Sequence, residues 1–379
     1  METILANAKL LSGGEEFRGA VIFEDGVIKA IDGGGSIPIG AIDCEGDYIS
    51  PGLVELHTDN LERHLQPRPG VDWPFQAAVI AHDRELASTG ITTVFDAVRV
   101  GSIPSNKKAK YRKYARQTAT QINDLARNGA MKISHFIHLR AELCTETMAD
   151  ELDEFSEKDM IKMISIMDHT PGQRQFRDVS KLVEYLSDKH NMNDKEVEAH
   201  FEKLRGFQRT YGSKHRRYAV EKAKSLGVLL ASHDDTTEQD VDESALDGIT
   251  LAEFPTTEEA AYASRQNDIV IMMGAPNLVR GGSHSGNIAA SELHDKSLLD
   301  ILSSDYVPSS LLLGAVILGL RKNDLAAGLR TVTQAPSEAA GFSDRGLLEA
   351  GRRADLVRFS LEDGSPRLKS VWCEGKQVA

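Results

Sequence analysis

The sequence predicts an α/β protein, a (β/α)8, TIM-like barrel with a small flanking β-sandwich built from both termini, and three observations predict it. Eight short apolar runs alternate with stretches of helical period between residues 51 and 344. Glycine-punctuated β-type runs occupy residues 1–50 and return in 345–379. Titratable side chains stand just past one apolar run after another. Eight strands over so long a stretch suit a barrel with insertions better than a doubly wound sheet.

The opening runs, 3–5, 20–23 and 26–31, are separated by glycine-rich turns and read as a small sheet. Ile49-Ser50-Pro51-Gly52 marks the change of texture. The eight barrel strands are expected near 53–57, 92–97, 132–139, 161–167, 228–232, 249–254, 269–273 and 299–304. Short strands return in the tail, at Gly346-Leu347-Leu348, toward Val357, and at Ser370-Val371-Trp372-Cys373, which resembles the end of a hairpin. Residues 1–50 and 345–379 are expected to make one flanking unit around the barrel of 51–344. The stretch 173–225, charged and helical in pattern, reads as a helical insertion near the active face. No internal repeat or low-complexity tract is visible.

A chain of 379 residues, 41% hydrophobic and 27% charged, can bury one large core and carry a smaller unit beside it. It has no basic segment followed by an apolar leader, and no run of about 18 apolar residues. A cytoplasmic protein that neither enters nor crosses a membrane is therefore expected. Cys44, Cys144 and Cys373 are odd in number and far apart, as in a reducing compartment. A net charge of −13 speaks against nucleic acid and anionic membranes as partners. An anionic substrate would need locally placed cations.

In a parallel barrel, side chains at the carboxyl ends of the strands converge on one face. The first run ends Val54-Glu55-Leu56-His57-Thr58-Asp59, where a period of two sends His57 and Asp59 to one side. An imidazole and a carboxylate so placed suit a divalent cation, although for the pair taken alone a solvent-exposed turn is the commoner explanation. The third run ends His138-Leu139-Arg140-Ala141-Glu142, the fourth Met167-Asp168-His169-Thr170, the fifth Ser232-His233-Asp234-Asp235 and the eighth Ser303-Ser304-Asp305. Each alone could be a hydrogen-bonded loop histidine or a helix-capping aspartate. Five strand ends together point to a metal site, with a metal-bound hydroxide as nucleophile and Asp305 as its general base.

Arg280-Gly281-Gly282-Ser283 joins a guanidinium to amides that glycine lets a phosphate approach, or else is a tight turn with an exposed arginine. Arg140, Arg174 and Arg177 offer further positive charge, the last two fitting a solvated helix start equally well. The run Lys107, Lys108, Lys110, Arg112 and Lys113 reads as a solvated face.

Ile49 through His57, Ser304-Asp305 and residues 346–357 resemble the amidohydrolase superfamily, over essentially the whole chain. The resemblance implies a metal-bearing (β/α)8 barrel. Two departures stand out: the superfamily's His-x-His is here His57-x-Asp59, and the sixth run ends Glu253-Phe254-Pro255-Thr256-Thr257 without a histidine. Glu142 takes the place of the more common bridging lysine. A narrower resemblance lies in Glu55 through His64, Asp168 through Gln173, Ser232 through Thr236 and Gly274 through Asn287, which look like the hydrolases of the carbon-phosphorus lyase pathway of phosphonate utilisation. Membership would imply a diphosphatase that converts a ribose 1-methylphosphonate 5-triphosphate to its 5-phosphate and pyrophosphate. On this reading His57, Asp59, Glu142, His169, His233 and Asp305 hold one or two divalent ions (zinc, manganese or iron), and Asp305 is also the base. Arg140, Arg280, Gly281, Gly282, Ser283 and His284 receive phosphate, and whether Glu253 and His284 touch the ions is open. The expected partner is a small phosphorylated sugar, and a homo-oligomer is compatible with the reading. An amide hydrolase on the same barrel, such as a deacetylase or cyclic-amide hydrolase, and a non-catalytic scaffold are the alternatives.

Overall fold

The computed structural model describes residues 2–101, 114–174, 193–283 and 286–379. The basic run at 107–113, Arg177 and His284 lie outside the described residues, as does part of the insertion. Five strands open the chain: β1 (Thr3–Ser12), β2 (Glu15–Glu24), β3 (Val27–Asp32), β4 (Ile42–Asp43) and β5 (Tyr48–Pro51). Three close it: β14 (Leu356–Glu362), β15 (Ser365–Cys373) and β16 (Lys376–Gln377). They form one sheet in the order β16-β15-β14-β5-β1-β2-β3, with β4 paired to β1. β14 runs antiparallel to β5, Leu356 opposite Pro51 and Phe359 opposite Tyr48, so the two ends of the chain are joined by a ladder. The strand reading at Gly346-Leu347-Leu348 is corrected: these residues are not in a strand, and β14 begins at Leu356. Gly346 sits there at φ 86°, where an added Cβ would lie 2.5 Å from Ser337 Oγ.

Alternation gives this sheet two apolar faces. Leu356 and Trp372 join Leu5, Leu10, Val21 and Phe23 in one cluster. Val357, Phe359 and Val371 turn the other way and pack with Leu311, Leu312 and Ala315 of the barrel helix Ser310–Arg321.

The barrel strands are β6 (Leu53–Thr58), β7 (Ile91–Val100), β8 (Ser134–Glu142), β9 (Ile161–Met167), β10 (Leu229–His233), β11 (Leu251–Glu253), β12 (Val270–Gly274) and β13 (Ile301–Ser303). They pair in sequence order, every pair parallel. The ring closes between β13 and β6, where Thr58 bridges Asp305 and the Ser303 hydroxyl donates to the His57 carbonyl at 2.6 Å. Buried Glu55 accepts from the His57 amide at 2.7 Å and lies 2.8 Å from Ser303 Oγ, completing the seam.

Inside, Val54, Leu56, Phe95, Met163, Leu251, Met272 and Ile301 make an apolar layer. Phe342, following the helix Gln334–Ala339, packs against it, and the Arg345 guanidinium lies 4.2 Å over the Phe342 ring. The amino end of the barrel is thus apolar and the polar inward side chains collect at the carboxyl end. Among the described residues of the 173–225 stretch, the structure shows the helix Asp194–Leu226, opened by an Asn193 capping box and stopped by Gly227 at φ 62°. Its buried residues Val197, Phe201, Leu204, Ala219 and Ala223 recur at helical spacing. No described helix is long and apolar enough to cross a membrane.

Candidate functional site

Strand parity delivers the site. On β8 the residues His138, Arg140 and Glu142 share the inward face, while His135, Ile137 and Leu139 point outward. His233 ends β10, Glu253 ends β11, and Asp305 follows β13. β6 departs from simple alternation: its register with β7 shifts between Glu55 and Thr58, so Leu56 and His57, neighbours in sequence, both face the interior. Just past β10, β11 and β13, the residues Asp234, Phe254 and Asp305 adopt φ of 59°, 55° and 53°. Left-handed backbone at a non-glycine residue costs about 1 kcal/mol or more and concentrates where function fixes a side chain. The loops after β10 and β11 then repeat one design: Thr237 and Thr257 cap the following helices, and Thr236 Oγ1 lies 2.7 Å from Thr256 Oγ1 between them.

A cavity of about 170 Å³ opens at this end. It is lined by His57, His169, His233, Asp234 and Asp305, by Arg140, Arg280, Gly282 and Ser283, and by Phe254, Asn277, Asn287 and Tyr306. Each of the three histidines presents Nδ1 to a carboxylate: His57 to Glu253 at 2.9 Å, His233 to Asp234 at 2.7 Å, and His169 to Glu142. Glu142 is buried and also accepts from the His169 amide at 3.1 Å and from the Cys144 thiol at 3.1 Å. A carboxylate on Nδ1 fixes the tautomer and leaves Nε2 as the ligating atom.

The electrostatics follow from burial and neighbours. Burial, with Arg140 and His233 nearby, holds His57 well below the usual histidine range, so its ring is neutral. Burial holds His138 down to about 3. Burial alone would lower His233 too, but the Asp234 carboxylate beside it wins and raises it. The Glu142 carboxyl is lowered to about 2, His169 outweighing burial. Asp305 goes the other way, pushed up to about 7 by burial and by the Asp59 carboxylate, against the opposing charge of Arg140. Asp59 is raised by burial, partly offset by Arg140, whose Nη1 lies 3.6 Å from Asp59 Oδ2.

Of the residues read from sequence, His57, His169, His233, Asp305, Arg140, Arg280, Gly282 and Ser283 line one cavity. Asp59 adjoins it through Arg140, and Glu142 stands behind His169. Gly281 is not among the lining residues. The solvated reading of Arg174 is corrected: it is buried, paired with Asp235 and donating to the His233 carbonyl at 3.1 Å, so it braces the turn after β10. Sequence reasoning passed over His138 and Asp234 and left Glu253 undecided. His138 was signalled by parity with Arg140 and Glu142, and Glu253 by standing at a strand end like the histidines.

The donor set suits a divalent cation. His57, His138 and Glu253 place ligand atoms within 4.8 Å of one another, as do His169, His233 and Asp234. Among the described residues, His233 Nε2, His138 Nδ1 and Glu253 Oε2 are buried polar atoms with no hydrogen-bond partner. A buried unpaired donor or acceptor costs about 1–3 kcal/mol, a cost that coordination would remove.

The model of the amidohydrolase family matches residues 48–378. The chain is 38% identical to the α-D-ribose 1-methylphosphonate 5-triphosphate diphosphatase of Escherichia coli strain K12, over 99% of this chain and all of that one. Among solved structures, N-acetyl-D-glucosamine-6-phosphate deacetylase from Mycobacterium smegmatis aligns over both full chains at a TM-score of 0.63 and 16% identity. Dihydropyrimidinase from Brevibacillus agri aligns over all of this chain and 95% of its own, at 0.61 and 13%. At such identities these two likenesses are of fold.

Proposed function

The chain belongs to the amidohydrolase family, a family of hydrolases that generally use divalent metal ions, and from that premise we propose that it is a diphosphatase. It would hydrolyse ribose 1-methylphosphonate 5-triphosphate to the 5-phosphate and pyrophosphate. The observation that carries the reading is the double lining of one cavity: His57, His169 and His233 face the same space as Arg140, Arg280, Gly282 and Ser283. A hydrolase of an uncharged amide needs only the first group, whereas a phosphoanhydride with several negative charges needs both. Identity of 38% along essentially the whole chain to a diphosphatase supports the same choice.

In this reading His57, Asp59, Glu142, His169, His233 and Asp305 hold one or two divalent ions, zinc, manganese or iron. Glu142, engaged by His169 and Cys144, also orients His169. A bound divalent ion would supply Lewis-acid charge and ready a water for attack near neutral pH. Asp305, held near neutrality by burial, takes the proton of the attacking water as its oxygen bonds to the phosphorus nearest the ribose. The bond from that phosphorus to the bridging oxygen breaks, and the electron pair leaves with pyrophosphate. Arg140 and Arg280 bind the charge that develops on the phosphates; the Gly282 amide is held by the Asn277 carbonyl at 2.8 Å, so the glycine gives room for a phosphate and not a donor.

Phosphorus NMR of the metal-loaded protein with ribose 1-methylphosphonate 5-triphosphate tests this directly. Pyrophosphate and the 5-phosphate should appear in equal amounts. A metal-loaded sample that leaves the triphosphate resonances unchanged refutes the proposal.

A further inference from the structure

A second group of buried titratable side chains lies outside the barrel, between the outer face of β7 and β8 and the helix Phe75–Ala87. His82 Nε2 is 2.8 Å from Asp96 Oδ1, and Asp96 Oδ2 is 2.7 Å from His135 Nδ1. His135 Nε2 is 3.2 Å from Asp83 Oδ1, and His82 Nδ1 is 3.0 Å from Asn60 Nδ2. His82, Asp83 and Asp96 are fully buried, Asn60 is 2% exposed and His135 3%. The protons can be assigned from the partners. Asn60 Nδ2 also touches Glu85 Oε2, at 2.9 Å, so it donates to both neighbours. His82 Nδ1 therefore accepts, and its Nε2–H donates to Asp96. His135 meets a carboxylate at each nitrogen and carries both protons.

His82, Asp96 and His135 approach closely enough to hold a metal. The accounting argues for protons instead. Both nitrogens of both rings have partners, and the charges of Asp83 and Asp96 are balanced by His135 and by Arg84, which is ion-paired with Asp83. A divalent ion would add charge where none is wanted.

The chain of bonds ends on the residue after Asp59. The Asn60 amide donates to Thr58 Oγ1 at 3.3 Å, and that hydroxyl donates to the Asp305 carbonyl at 2.7 Å. The Asp59 amide donates to the same carbonyl at 3.3 Å. The turn 58–60 is thus gripped from the cavity side by Asp305 and from the outer side by His82 and Glu85.

We propose that Asn60 and His82 are positioning residues: the relay Asp83, His135, Asp96, His82, Asn60 fixes the turn that carries Asp59 and, through the shared carbonyl, sets Asp305 opposite it. The role in turnover rests on the diphosphatase reading, but the geometry can be tested without it. In the full-length protein, Asn60→Ala and His82→Phe should raise hydrogen exchange at the Asp59 and Asn60 amides at least tenfold. They should also weaken Mn²⁺ binding, measured by chelator competition, by 10–100-fold and alter the EPR spectrum of bound Mn²⁺. His82→Gln, whose amide can accept from Asn60 and donate to Asp96, should recover most of both. A folded Asn60→Ala protein with unchanged exchange at these amides overturns the proposal, whatever its melting temperature. So does an ion bound in addition to those of the cavity that disappears in His135→Gln. If the variants show these exchange and EPR effects while metal-loaded wild-type protein leaves the triphosphate intact, the substrate assignment fails and the relay stands.

Discussion

Two histidine clusters share strand β8, one on each face. His138 points inward and His135, three residues earlier, points outward, and both are buried. Residue types and burial are alike, yet the hydrogen-bond bookkeeping is opposite. Outside, each ring nitrogen of His82 and His135 has a partner and the formal charges cancel. Inside, a carboxylate takes one nitrogen of His57, His169 and His233, while His233 Nε2, His138 Nδ1 and Glu253 Oε2 have no hydrogen-bond partner. Outside, the one relay atom left without a partner among the described residues is Asn60 Oδ1, beyond the rings; rings bonded at both nitrogens hold a shape, whereas open ligand atoms on the rings themselves suit binding.

The largest effect separating the two clusters is expected at Asp305. It is the one cavity carboxyl pushed up to about 7, and its backbone sits at φ 53° without a stabilising glycine. Asp305→Asn keeps the shape and removes the base, so kcat should fall by about 10³-fold or more while the fold persists. Steady-state assays beside a near-UV CD spectrum would measure this. A variant retaining a tenth of wild-type kcat would move the base elsewhere in the cavity.

A smaller effect is expected one residue back from the cavity. Glu142→Gln leaves an oxygen for the His169 Nδ1 proton but removes the negative charge that strengthens the pair. Divalent-ion affinity should drop about 10–100-fold, and saturating metal should restore most of kcat. Loss of kcat that no metal concentration recovers would make Glu142 a direct participant.

Much of this inner cluster was legible in the sequence because a parallel barrel converts strand ends into a site. β9 occupies the expected 161–167, and His57, His169, His233 and Asp305 were found by standing just past apolar runs. The departures have local causes. β8 starts at Ser134 and not at Lys132, because the amides of Lys132 and Ile133 are taken by the Asp83 carboxylate. β11 stops at Glu253 because Phe254 turns into the left-handed region. His138 was hidden inside an apolar run. Arg174 was misread because its partner Asp235 lies across a gap in sequence that periodicity does not bridge. The outer relay was invisible for the same reason: Asn60, His82, Asp96 and His135 come from four elements, and only the folded barrel brings them together.

The last effect, and the one that tests the outer cluster's charge balance itself, is on stability against pH. Burial alone would lower His135, but Asp96 and Asp83 raise it from 6.5 to about 9. Burial would raise Asp96, but His135 and His82 bring it from 3.8 down to about 2. A raised imidazole stabilises the fold fully below the unfolded value of 6.5 and loses that contribution as pH climbs through about 9. A lowered carboxyl contributes fully above 3.8 and loses it as pH falls through about 2. The pair is therefore strongest between pH 3.8 and 6.5. The imidazole shift corresponds to a contribution on the order of 3 kcal/mol, counted once for the pair. The gap in melting temperature between wild type and His135→Gln should be widest in that window and narrow steadily from pH 6.5 to 9. A gap that stays constant across this range would mean that His135 is neutral, and the charge balance that sets the outer cluster apart from the inner one would be lost.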